Sequence, residues 1–109
     1  MLAVEGEHQV VIERSKFIAI AKCIYSIKDA QQNLEAIKAK YKQATHYSSA
    51  FTYGLLQEKV EHTDDNGEPS GSAGKPILGA INSKGLSNLM IVVVRYYGGK
   101  KLGVRGLID

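Results

Sequence analysis

Residues 64–76 read DDNGEPSGSAGKP and gather several side chains of types that could do chemistry. Asp64, Asp65 and Glu68 supply carboxylates, Ser70 and Ser72 hydroxyls, and Lys75 an ammonium. With His46 upstream, the serines and Asp65 complete the residue types of a hydrolase triad. Neither serine stands in a G-x-S-x-G elbow, so no catalytic residue is assigned; a small hydrolase or nucleotide-binding enzyme using Ser70, His46 and the acids is kept as the alternative. His62, Asp64, Asp65 and Glu68 are metal-ligand types, but acids in a turn are usually caps and Asx-turns, and no metal is expected.

A second chemistry is anion binding. Seven of the eleven glycines fall in two stretches, 67–74 and 98–106, where backbones that need positive φ or close approach are built. Gly71 and Gly74 in the first stretch, and Gly98 and Gly99 in the second, each lie near an expected helix start, whose free N–H groups favour anions. Lys75, Lys100, Lys101 and Arg105 carry the matching charge. The established phosphate motifs do not fit. A Walker A reading ending at Gly74-Lys75 finds Pro69 and Pro76 where glycine and Ser/Thr are required, and no GxGxxG occurs. An EF-hand centred on Gly67 would need acids where His62 and Ala73 stand. No cofactor is expected.

Arg95 is different in kind, because it interrupts an apolar strand just before Gly98-Gly99. A charge in that setting needs a partner, and the acids of 64–68 are the natural ones, so Arg95 is expected to pin the acidic turn to the sheet.

The elements that position these residues are readable from periodicity. HQVVIE (8–13) and KFIAIAKCIY (16–25) predict two strands joined by a tight turn at Arg14-Ser15. Ser26 with Asp29 approximates a capping box. Ile27, Ala30, Leu34, Ile37 and Tyr41 then lay one apolar stripe along a helix. HYSSAFTYGLLQ (46–57) predicts a strand in which Gly54 marks a bulge or close approach. Ser72 is the expected cap of a short helix running to about Ser83, with Pro76 in its first turn and Gly85 as its stop. NLMIVVVRYY (88–97) is apolar on both pleat faces, as a covered central strand is. The final GLID reads as the first turn of a helix. The expectation is one domain over 1–109, truncated in its last helix: an α+β fold with a two-layer, mixed four-stranded sheet and helices on one face.

Bulk composition narrows the class. A chain of 109 residues, 44% hydrophobic and 23% charged, is one globular domain rather than a disordered segment. The single cysteine, Cys23, fits a reducing compartment. Neither a signal peptide nor a membrane span is expected, and a cytoplasmic location is. The net charge of +3 is unevenly spread, −2 over residues 1–69 and +5 over 70–109, which favours an anionic partner at the C-terminal third.

GEPSGSAGKPIL followed by NLMIVVVRYYGGKKLGVRGL strongly resembles the signature of the IMPACT/YigZ family, approximately DDGEPSGTAGKPIL with VVVRYFGGxxLGxGGL. ATHYSSAFTYG and the SKF near the start match further family segments, so the similarity covers roughly residues 14–109. The resemblance implies the amino-terminal domain of that family, with a ribosomal protein S5 domain 2-like fold. Eukaryotic relatives restrain the amino-acid-starvation kinase pathway by competing for its ribosome-associated activator, and bacterial members usually carry a further small ferredoxin-like domain. Position by position, the first motif falls on Asp65 and on Gly67 to Pro76, and the second on Arg95, Tyr96, Gly98, Gly99, Leu102, Gly103 and Gly106. Asn66 stands where a second aspartate is usual, Ser72 replaces a threonine, and Arg105 replaces a small residue.

The reading that follows is a non-enzymatic, translation-linked regulatory domain. It would bind RNA or a ribosome-associated protein through the two glycine-rich loops, with Lys75, Lys100, Lys101 and Arg105 on phosphate and Arg95 ordering the acidic turn.

Overall fold

A computed structural model of the chain describes residues 5–54 and 58–97. Its elements are β1 (Gly6–Ile12), β2 (Ser15–Cys23), α1 (Ile27–Lys40), β3 (His46–Tyr53), β4 (Val60–Asp64), α2 (Gly74–Ser83) and β5 (Leu89–Tyr96). The strands form one sheet in the order β1-β2-β5-β3-β4. The expected α+β class holds, but among the described residues the sheet has five strands, not four, and every pairing is antiparallel.

The expectation of a mixed sheet fails for a topological reason. Both helical connections, β2-α1-β3 and β4-α2-β5, join strands that run the same way, which is what a crossover requires. In each case another strand lies between the two: β5 separates β2 from β3, and β3 separates β5 from β4. Parallel strands therefore never become neighbours. The additional strand, β4, reads VEHTD and sits at an edge with little buried surface, so it lacks the apolar alternation that reveals a strand.

The helices lie on opposite faces of the sheet, not on one. Ala30 and Ile37 of α1 cluster with Ile18, Ile20, Phe51, Met90, Val92 and Val94. Ile81 of α2 clusters with Ala50 and Leu89, against Ala21, Ile77 and Ile91. Ala50 precedes Phe51 and Leu89 precedes Met90, and neighbours in a strand point to opposite faces. The apolar character of β5 on both faces already demands this: Val92 and Val94 are 0% exposed under α1, while Leu89 and Ile91 need cover from the α2 side.

Local turns follow the chemistry of their residues. β1 and β2 are joined by Glu13 and Arg14, both at positive φ (46° and 71°), the pattern whose twist suits a two-residue hairpin. The turn is thus one residue earlier than Arg14-Ser15. Ser26 Oγ accepts the Asp29 N–H at 3.1 Å, and the Asp29 carboxylate accepts the Tyr25 N–H at 2.8 Å, so the capping box forms in outline. Gly54, at φ +93°, is a point of close approach: a Cβ there would lie 2.7 Å from the Glu58 carbonyl oxygen.

Candidate functional site: the clamped 64–76 turn

One row of the sheet carries the site. Phe17 of β2, Arg95 of β5 and His46 of β3 are paired in register, so their side chains share the α2 face. The turn after β4 folds over this row. Glu68 receives Arg95 Nη1 on both carboxylate oxygens at 3.0 Å, with the two side chains 13% and 24% exposed. The Arg95 guanidinium also donates to Ser15 Oγ at 3.3 Å and lies between the rings of Phe17 and Tyr97, 5.2 and 5.0 Å from their centroids. Arg95 therefore pins the acidic turn to the sheet, and Glu68 is the acid it uses.

Asp65 performs the second closure. Its carboxylate accepts the N–H groups of Gly74 (2.7 Å), Gly71 (2.8 Å) and Ala73 (3.1 Å). Ala73 and Gly74 are the N-cap and first residue of α2, so the helix N-terminus holds an anion supplied by the chain itself, and the Gly71 bond ties in the preceding turn. The bonds from Gly74, then Gly71 and Ala73, together with the nearby Lys75 charge, hold the Asp65 pKa below its usual value. Ser72 is not the cap: its hydroxyl donates to the Pro69 carbonyl, and the N-cap position belongs to Ala73, which has no side chain to offer.

Asn66 is the fastening that sequence reasoning missed. It sits at φ 48°, a conformation asparagine tolerates better than most residues. Its side-chain oxygen accepts the Tyr47 N–H, its carbonyl accepts from His46 Nδ1, and its own N–H donates to Asp64 Oδ1. Asn-Gly is a turn signal, and that signal was the available clue. Two glycines make the folding possible. A Cβ on Gly74 would lie 2.8 Å from Thr63 Cβ and 2.9 Å from the Asp64 nitrogen; one on Gly67, at φ +91°, would strike the His46 ring at 2.9 Å.

The arrangement leaves a cavity of about 350 Å³ beside the clamp, lined by Phe17, Ser48, Glu68, Ser72, Val93 and Arg95 among others. His46 directs Nδ1 to Asn66 and has Nε2 4.0 Å from Glu68, so neither ring nitrogen is presented to Ser70. Ser70, Gly71 and Lys75 are exposed on the turn's outer rim. Asp64 is separated from Asp65 and Glu68, because it ends β4 and lines the opposite, α1-covered side. Gly98, Gly99, Lys100, Lys101 and Arg105 lie outside the described residues. Among the described residues no group of three or more His, Cys, Asp or Glu side chains is placed to hold a metal.

Arg95 of the second motif thus meets Glu68 of the first at one clamp, and comparison with known proteins shows whose motifs they are. The Impact N-terminal domain family matches residues 13–109. The chain belongs to the IMPACT family. It is 41% identical over 103 residues to the IMPACT family member YvyE of Bacillus subtilis, covering 94% of this chain and 47% of that protein. To YigZ of Escherichia coli it is 35% identical over 98 residues, covering 89% of this chain and 48% of that protein. This IMPACT domain therefore spans about half the length of the curated relatives it matches. Among solved structures, one described as a hypothetical protein superposes with a TM-score of 0.84 at 33% identity, covering 97% of this chain and 52% of the other. The two-domain translational regulator Yih1 gives a TM-score of 0.65 at 26% identity, covering 87% of this chain and 38% of that one. No helix among the described residues is long and apolar enough to cross a membrane.

Proposed function

We propose that this IMPACT domain is a translation-linked regulatory module of the cytoplasm that docks onto a ribosome-associated protein through the outer rim of the 64–76 turn. Its likeness to the translational regulator Yih1 supports the regulatory part of this reading. The observation that carries the docking part is the internal use of the turn's charge. Asp65 occupies the α2 N-terminus and Glu68 neutralises Arg95, so these two anion-binding groups are already taken. What remains outside is a preformed rim of Pro69, Ser70, Gly71, Ser72, Lys75 and Pro76, all exposed. A rim ordered before binding loses little entropy on association, which favours a protein contact.

RNA is the second reading, favoured by exposed Lys75 and by the sequence charges of Lys100, Lys101 and Arg105. Salt separates the two. Phosphate contacts make affinity fall steeply with ionic strength, about one power of salt per neutralised phosphate, whereas a protein rim of this composition responds weakly. The test is co-sedimentation of the chain with purified ribosomes at low and moderate salt, with Ser70→Arg as the variant. We expect association that survives the salt increase and is lost in Ser70→Arg while the melting temperature is unchanged. Binding that collapses with salt and ignores Ser70→Arg would replace the protein reading with the RNA one. Hydrolysis by wild type but not Ser70→Ala across a phosphatase and esterase panel would overturn both.

A further inference from the structure

A second concavity lies on the α1 face and takes no part in the clamp. The apolar stripe of α1 begins at Ile27, yet Ile27 is 50% exposed, because the first turn of the helix overhangs a gap beside β4. That gap is a cleft of about 210 Å³. Leu34, Phe51 and Met90 contribute its apolar surface, and Ser49, His62 and Asp64 its polar side. The register explains this division. Phe51 is paired with His62 and Ser49 with Asp64 across β3–β4, so an aromatic pair stands next to a polar pair on one face. The His62 and Phe51 rings stack, with centroids 5.1 Å apart and planes inclined by 30°.

Among the described residues of the lining, Asp64 carries the one formal negative charge. It uses Oδ1 for the Asn66 N–H, and its second oxygen has no partner among the described residues. A ligand that fits must be flat, cationic and rich in N–H donors, with an apolar stem for the Leu34–Met90 side. An engineered cavity of 150 Å³ accepts benzene, so this volume suits a group slightly larger than one ring. A guanidinium on a propyl stem meets each condition: it is planar, stacks on aromatic faces, is weakly hydrated and matches a carboxylate with paired donors. A lysine ammonium is a strongly hydrated point charge and does not.

We infer that this cleft receives an arginine side chain from a protein partner. The inference rests on the proposed function only in taking that partner to be a protein. Asp64 ends β4 and opens the 64–76 turn, so one partner reaching around the β4 edge touches both cleft and rim.

The experiment is a nuclear magnetic resonance titration of the labelled chain with N-acetyl-arginine methylamide, its lysine counterpart and guanosine monophosphate. Saturable shifts are expected at the amides of Ser49, Phe51, His62 and Asp64 with the arginine compound and not with the lysine compound. Asp64→Asn keeps an oxygen for the Asn66 N–H but removes the charge, and should weaken the arginine compound at least about tenfold. Absence of saturable shifts, equal response to lysine, or indifference to Asp64→Asn overturns the inference. Tighter binding of the nucleotide at the same amides overturns it in favour of a nucleobase. If the titration fails while Ser70→Arg still abolishes ribosome association, only the cleft assignment falls; if the titration succeeds and ribosome association is absent, it is the docking rim that falls.

Discussion

The two helices of this domain begin in contrasting ways. α1 is capped by its own neighbour, with Ser26 accepting the Asp29 N–H three residues on. α2 is capped from a distance: Asp65 reaches across the turn to Gly71, Ala73 and Gly74, six to nine residues later. The local cap stabilises one helix start and nothing else. The distant cap makes the whole 64–74 segment a condition of the helix, so turn and helix order together. A motif of small and polar residues is thereby tied to the helix start.

The sharpest way to break that contrast is Asp65→Ala. It leaves three N–H donors without their acceptor at once, and should produce the largest fall in melting temperature of any single change at these two helix starts. Hydrogen exchange should accelerate through α2 and the turn while α1 keeps its protection. Acid titration of the same pair of proteins sharpens the result. Because hydrogen bonds hold the Asp65 pKa below its unfolded value, its contribution is fully present above the ordinary aspartate value of about 4 and is lost as pH falls through the lower native value. Glu7 and Glu61 are also lowered, through Tyr41 and Asn82 respectively, so wild type loses stability in acid from several sites. The difference between wild type and Asp65→Ala isolates the Asp65 share and should shrink below about pH 4.

A smaller effect is expected from Glu68→Gln, which weakens the pin but spares the cap. Loss of a partly buried charged partner costs roughly 1–3 kcal/mol, measurable by urea unfolding. The telling outcome is where exchange increases: in residues 66–70 and around Arg95, but not at the amides of Gly71, Ala73 and Gly74. Uniform acceleration through α2 would mean that pin and cap are one unit. The smallest effect belongs to Ser26→Ala, about 1 kcal/mol, the usual cost of a lost N-cap, read as a shift in the denaturation midpoint with an unchanged slope. A cost equal to that of Asp65→Ala would erase the distinction between local and distant caps.

Legibility in the sequence followed the range of the interaction. The α1 stripe, the Ser26–Asp29 cap, the hairpin and the apolar β5 depend on residues a few positions apart, and periodicity exposes them. Arg95 was legible by a different route, since a charge inside an apolar strand requires a partner whatever the fold. The choice of Glu68 among three nearby acids was not, because it depends on which carboxylate the turn lowers onto the Phe17–Arg95–His46 row. Strand β4 escaped because an exposed edge strand carries no apolar alternation. Ser72 looked like the cap because the hydroxyl is of the right type near the right place; the structure gives its bond to Pro69 and the capping role to Asp65.

By itself the sequence determined an α+β fold of the IMPACT family, with two glycine-rich motifs and an arginine in need of an acid. Those features rest on composition, short-range spacing and motif content, which are properties of the chain in any conformation. Only the tertiary structure decided that β5 inserts between β2 and β3, that the helices cover opposite faces, and that Asp64 and Asp65 serve opposite sides of the sheet. It also decided that the helix end expected to attract a phosphate is filled by the chain's own carboxylate. Each of these is a choice of partner among chemically equivalent groups, and such a choice is made by where the backbone carries them.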